Sequence, residues 1–240
     1  MTSVKKGKRL YRILDFARVV QIFENKELFF ARPSSWDDPY EKILNHYKKD
    51  SIFSQCWSLS DVSDAMWRIY SQNGMGVRIS TTVGKLDEVL KASARNMDVS
   101  PREIKYKYRL EKVDYMTPVE VRDKASKIAD EMLHFFDIGR AVDMLYIKRL
   151  AFEHENELRA TLYFPCDKEL SGKGVTVPID PHEFIDRILL DPRAPDEVIK
   201  AFKSYFKKVL GFKGRVGRSA LYRVPKSIEI MTKEISVKDI

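Results

Sequence analysis

The stretch FEHENELRA, 152–160, carries three glutamates and an arginine, a density of ionisable groups suited to carboxylate chemistry. Read as a strand over 155–164, it places Glu155, Glu157, Arg159 and Thr161 on one face and Leu158, Ala160, Leu162 and Phe164 on the other. Two carboxylates on one face raise each other's pKa, and Arg159 offsets the repulsion and can hold one of them ionised. The same alternation also fits an exposed strand face with a single weak Glu–Arg pair. Glu153 precedes the strand, at the end of a helical run.

The elements that must position these residues follow from periodicity. A short strand over 9–14 leads to Asp15, which can cap a helix whose Phe16, Val19, Val20 and Phe23 share one face. A strand over 27–31 enters the polar loop RPSSWDDPYE, and 51–58, with IFSQCWS at its centre, reads as another strand. Asp61 or Ser63 can start a helix through Met66, Trp67 and Tyr70 that stops at Asn73-Gly74. A strand over 76–80, a helix over 85–94 and a tyrosine-rich basic strand over 104–115 come next, then a mainly helical region over 119–150. Strands are expected at 155–164, 175–179, 184–190 and 220–223, with an amphipathic helix after Pro195 carrying Val198, Phe202, Tyr205, Phe206 and Val209. This order lacks a regular βαβ rhythm, so the expected fold class is α+β: a largely antiparallel mixed sheet with flanking helices and a helical central insertion. The expectation is one domain over 1–240, with the helical subdomain near 117–150.

Composition narrows the partners. Of 240 residues, 44% are hydrophobic and 32% charged, which excludes low-complexity and globally disordered classes. No segment approaches the apolar length of a membrane span and the first residues lack a signal-peptide core, so the expectation is a cytoplasmic protein without a membrane partner. Cys56 and Cys166 form no CxxC pair, and His46, His134, His154 and His182 form no HExxH pattern, so no metal is expected. The net charge of +8 favours anionic partners, and the basic residues cluster: Lys5, Lys6, Lys8 and Arg9; then Lys105, Lys107 and Arg109 among tyrosines; then Lys203, Lys207, Lys208, Lys213, Arg215 and Arg218. A nucleic-acid partner is one reading of the three clusters and a solvated surface is the other. Gly74-Met75-Gly76 and the GKG at 172–174 are not nucleotide loops.

Tyr11-Arg12, RPSSWDDPYE, IFSQCWS followed by AMWRIYSQNGMGVRI, Lys148 followed by FEHENELR, and ILLDPRAPDEV together resemble a large bacterial family known as a domain of unknown function. Trp36 and Tyr40 stand where that family usually has phenylalanine, and Arg68 stands where it has serine. The resemblance implies a setting near phage-defence genes. A looser resemblance is to ADP-ribosyltransferases, which carry an Arg or His on an early strand, a Ser or Tyr on a later one and a Glu-x-Glu further on. Arg12, Ser54 or Ser58, and Glu155-x-Glu157 fall in that order.

By this resemblance Glu157 is the catalytic residue that stabilises the oxocarbenium-like transition state as nicotinamide leaves NAD, and Glu155 orients the acceptor. Tyr11, Arg12, Ser54, Trp67, Tyr70 and Arg159 would hold NAD, with Arg12 suited to its phosphates. Arg32, Trp36, Asp38, Lys105, Lys107 and Arg109 would contact the acceptor, a nucleic acid or protein. The implied function is an NAD-dependent ADP-ribosyltransferase of toxin or phage-defence type, with an antitoxin or defence-system protein as a further partner. A non-catalytic nucleic-acid-binding or interaction module is the alternative, and a metal-dependent nuclease using Asp37, Asp38, Glu41 and Glu157 a third reading.

Overall fold

The computed structural model describes residues 4–96, 106–164 and 172–224. The chain opens with strand β1 (Arg9–Asp15) and helix α1 (Phe16–Asn25), whose first turn is capped where the Asp15 carboxylate accepts from the Arg18 backbone N–H at 2.8 Å. Lys26, at φ 53°, ends the helix in the left-handed region and turns the chain into β2 (Glu27–Ala31). Short 3₁₀ turns containing Pro33 and Pro39 lead to β3 (Ile52–Ser58), and Ser63 caps α2 (Asp64–Tyr70). Strand β4 (Gly76–Thr82) and helix α3 (Val83–Asn96) precede β5 (Lys107–Lys112) and the short β6 (Asp114–Met116).

A capping box of Thr117 and Glu120 begins α4 (Pro118–Met132), which is followed by α5 (Ile138–Asp143) and β7 (Ile147–Arg149). Next come a 3₁₀ turn Leu150–Glu155, β8 (Glu157–Tyr163), β9 (Gly174–Pro178), α6 (Pro181–Phe184) and β10 (Arg187–Leu190). Helix α7 (Asp196–Ser204) runs on into a π turn Tyr205–Val209 before β11 (Arg215–Arg218).

Nine strands form one sheet in the order β11-β10-β4-β1-β3-β2-β9, with β8 paired to β3 and β5 to β8; β6 and β7 pair separately. All pairs in the large sheet are antiparallel except β10 with β11. The α+β expectation therefore holds. One edge of β3 pairs with β8 along its whole length, from Ile52↔Tyr163 to Ser58↔Glu157. The other edge is shared, meeting β1 only at Tyr11↔Ser58 and β2 only at Ala31↔Ser54. Between those two contacts the sheet splits, and α1 spans the split because it joins β1 to β2.

The two faces of the sheet have different covers. One face packs Leu10, Phe30, Phe53, Trp57, Val77, Ile79, Leu158 and Ala160 against α1, α3 and the π turn, where Phe206 is fully buried. Over β3 and β8 the opposite face is roofed by the helical insertion, through clusters built on Ile52, Ile138, Val142, Leu145 and Tyr146 and on Val121, Ala125, Ile128 and Met144.

That roof corrects one expectation: the polar face of FEHENELRA is not solvated, since Glu157, Arg159 and Thr161 are 4%, 0% and 0% exposed. A second correction is that Glu155 lies outside the strand. It ends the 3₁₀ turn, and Asn156 at φ 44° then redirects the chain into β8. Third, the last strand is Arg215–Arg218 instead of 220–223, because it pairs with β10 beside the core residue Val216. The 104–115 strand breaks at the buried Val113 into β5 and β6, with its first residues outside the described ones, and the helical region closes on strand β7.

Candidate functional site

Register places the key residues in a row. Tyr11 pairs with Ser58, and Ser58 pairs with Glu157, so the three side chains lie on one face across β1, β3 and β8. Two strand spacings separate the Tyr11 and Glu157 backbones, about 10 Å. Around Glu157 the insertion and β8 build an enclosed charge network. Lys148 on β7 places its Nζ 2.5 Å from Glu155 Oε2 and 3.1 Å from Glu157 Oε1, and 4.6 Å from the Phe152 ring. Arg159 donates from Nε to Glu157 Oε2 at 2.6 Å and from Nη1 to the Leu145 carbonyl at 2.6 Å, and its Nη2 donates to Glu41. Its guanidinium sits 4.7 Å from the Trp36 ring centroid. The Tyr70 hydroxyl donates to Glu155 Oε1 at 3.2 Å, and the Glu157 backbone N–H donates to the Tyr115 hydroxyl at 2.9 Å.

These contacts push the two carboxyls apart. Burial opposes ionisation of Glu157, but the Arg159 charge, a hydrogen bond from Glu155, the Lys148 charge and the Arg159 hydrogen bond outweigh it, so its pKa falls below the ordinary range. Burial, together with the neighbouring Glu157 hydrogen bond and charge, raises Glu155, and Lys148 only partly offsets this. Burial would lower Lys148, yet Glu157, Glu41 and Glu155 hold it protonated and raise it. Burial pushes the Cys56 thiol on β3 up to about 12, with Glu157 adding to the effect, so this free cysteine is an inert neighbour of the network. One carboxylate is fixed as an anion beside a second poised to exchange a proton, a pairing suited to acid and base roles on one substrate.

The split in the sheet opens a cleft of about 940 Å³ walled by Arg12 and Leu14 of β1, Gln55 of β3, Phe29 and Ala31 of β2, and α1. Arg12 is half-buried there, 6.0 Å from the Trp57 ring centroid, and no carboxylate among the described residues pairs with it. Burial lowers its pKa to about 10, so it stays cationic at neutral pH. An unneutralised, partly desolvated guanidinium on a cleft wall is a ready anion site.

The other sequence-predicted residues separate into groups. Tyr11, Tyr70, Arg159 and Trp36 join the Glu157 neighbourhood. Ser54 is buried and bonded to the Ala160 carbonyl at 3.2 Å and to Thr161 Oγ1 at 3.0 Å, which ties β3 to β8. Trp67 is 1% exposed beneath Arg78, and its carbonyl accepts from Arg193 at 2.9 Å. Asp38 accepts from Arg149 at 2.8 Å and caps the Tyr40 turn. Arg32 lines the cleft, 3.0 Å from Asp50 and over the Phe53 ring. Arg109 is held by Asp143 and the Gly139 carbonyl on α5, Lys107 is exposed on β5, and Lys105 lies outside the described residues.

Sequence reasoning gave Lys148 and Tyr115 no role and gave Glu41 only a metal-ligand one. Lys148 precedes the acidic stretch by a full turn of chain, and nothing in its spacing marks it as the cation between two glutamates.

Residues 66–160 match a family model described as "Protein of unknown function (DUF2971)". No curated protein matches this chain. Among solved structures, the chain is similar to Thermus sp. 2.9 DarT in complex with carba-NAD+, at 10% identity and TM-score 0.42, covering 90% of this chain and 97% of that one. It is also similar to the same protein in complex with NAD+ (9% identity, TM-score 0.42, 90% and 98% covered) and with ADP-ribosylated ssDNA (8% identity, TM-score 0.42, 91% and 97% covered). These likenesses are too distant to carry the role of any residue.

Proposed function

We propose that this protein is an NAD-dependent ADP-ribosyltransferase of toxin or phage-defence type, acting in the cytoplasm on a nucleic-acid or protein acceptor. The observation that supports the reading is the row Tyr11–Ser58–Glu157, which carries a fixed carboxylate on one face of the sheet, together with Arg12, the next residue of β1, whose side chain leaves the opposite face and lines the cleft without a carboxylate partner among the described residues. In the reaction the bond between nicotinamide and the ribose C1′ breaks, and nicotinamide leaves with the bonding electron pair. Positive charge develops at the ribose, and ionised Glu157, held on both sides by Arg159 and Lys148, stabilises it without having to reorganise. Arg12 binds the pyrophosphate. The acceptor nucleophile then bonds to C1′ and releases its proton to Glu155, whose raised pKa suits a proton acceptor near neutrality.

The nuclease reading finds less support, because Asp38 and Glu41 are engaged by Arg149 and Arg159. A non-catalytic module remains the competing class and differs in its dependence on Glu157. The deciding experiment incubates wild type and Glu157→Gln with labelled NAD and, separately, bacterial RNA, DNA and protein extract, following both label transfer and free nicotinamide. Transfer by wild type alone, with matching circular dichroism for the two proteins, supports the reading. Absence of label and of nicotinamide with every acceptor rejects it.

A further inference from the structure

The row that ends at Glu157 continues the other way across the sheet. Tyr11 pairs with Ser80 on β4, Ser80 with Arg187 on β10, and Arg187 with Arg215 on β11, so Arg215, Arg187, Ser80, Tyr11, Ser58 and Glu157 all share one face. Arg9 stands two residues from Tyr11 on the same face. The middle of the row is covered: Arg78 stacks 4.7 Å from the Tyr11 ring and binds Asp61, and Tyr11, Ser58 and Ser80 are buried. Beyond that lip the face opens. Arg9 and Arg215 are exposed and Arg187 half-buried, and none of the three is paired with a carboxylate among the described residues.

We propose that Arg9, Arg187 and Arg215 form a phosphate-binding track for a single-stranded nucleic acid that leads to the lip of Asp61 and Arg78 over Tyr11, on the row that ends at Glu157. This rests on the transferase reading and names its acceptor class. Charge complementarity selects the occupant: three arginines share one face of β1, β10 and β11, with backbones about 5 Å apart from Arg215 to Arg187 and about 12 Å apart from Arg187 to Arg9. A flat sheet face also suits an extended strand better than a duplex groove.

The basic cluster on α7 and its π turn does not share this face. Phe202 stacks 4.0 Å from Phe16 and Phe206 is buried beneath, so Lys200, Lys203 and Lys208 project from the opposite side of the molecule. They provide the internal control, matched in charge removed.

The test is fluorescence anisotropy of a labelled, mixed-sequence DNA strand of about 20 nucleotides, titrated with the full chain from about 50 to 200 mM salt. The combined variant Arg9→Ala, Arg187→Ala, Arg215→Ala is expected to bind at least about ten-fold more weakly, with the slope of log affinity against log salt shallower by about 2. The variant Lys200→Ala, Lys203→Ala, Lys208→Ala should bind as wild type does. Nicotinamide release without acceptor, measured in parallel, should be unchanged in the arginine variant. If wild type gives neither label transfer nor nicotinamide with any acceptor yet binds DNA through the three arginines, the transferase reading fails and the track stands. If wild type does not bind the strand, or the lysine variant loses as much as the arginine variant, the track is refuted.

Discussion

Replacing Arg159 by methionine tests the electrostatic design of the site most directly. The side chain is wholly buried and holds Glu157, Glu41 and the Leu145 carbonyl at once. Both carboxylates are only 5% exposed, so water cannot take over its role. Removing one member of a buried ion pair costs about 3–5 kcal/mol, and orphaning the Leu145 carbonyl adds about 1–3 kcal/mol. The variant can limit the loss by protonating Glu157 and Glu41. With Arg159 gone, burial raises the folded-state pKa of Glu157 and raises further that of Glu41, which burial already holds above its ordinary value in the wild type.

Wild-type Glu157 has the opposite sign: its lowered pKa contributes stability that is present above the unfolded value and lost as pH falls. The gap between variant and wild type must therefore widen with rising pH. Urea denaturation at pH 5 and pH 8 should give a deficit of about 3–5 kcal/mol or more at the higher pH and a smaller one at the lower. Restoring neutrality with Glu157→Gln and Glu41→Gln in the same chain should recover part of the loss. A deficit under about 1 kcal/mol, or one that does not change with pH, would refute the reasoning.

Arg12→Met should weaken NAD binding by about ten-fold or more while leaving the melting temperature equal or higher, because it removes a desolvated cation that has no carboxylate partner among the described residues; calorimetric titration and a thermal melt together check both signs. Transfer activity should rise with pH above the ordinary carboxylate range as Glu155 ionises, and Glu155→Gln should flatten that profile; an identical profile in the variant would remove Glu155 from the proton path. Phe206→Ala, at a fully buried ring against Phe16 and Phe23, should cost about 3–5 kcal/mol in urea denaturation.

Local signals in the sequence were dependable wherever one element decides its own form. Asp15 caps α1 and Ser63 caps α2, and strand β2 falls at 27–31 as alternation predicts. The polar half of β8 was located as well, but its burial was not, because alternation shows which side chains share a face and not what covers that face. The roof comes from residues of the insertion such as Leu145 and Tyr146, whose pairing with β8 is a long-range event. Glu155 slipped out of the predicted strand through the left-handed Asn156, a conformation that a single asparagine gives no reason to expect. Glu41 and Lys148 were unreadable for the same reason as the split in the sheet: each depends on which distant strand becomes a neighbour. In the tyrosine-rich basic stretch the ion pair of Arg109 was equally unreadable, since Asp143 comes from a helix some thirty residues on.

The divided edge of β3 has a mechanical consequence. Because β1 and β2 each grip that strand through a single residue pair, at opposite ends, no continuous ladder of hydrogen bonds crosses from one half-sheet to the other on that side. A small rotation about the axis of β3 therefore changes the aperture between Arg12 and Phe29 while every ladder stays intact, and α1, joined to both halves, works as the strap that limits the opening. Stiffness within each half and compliance between them let the width of the cleft change without unfolding any strand.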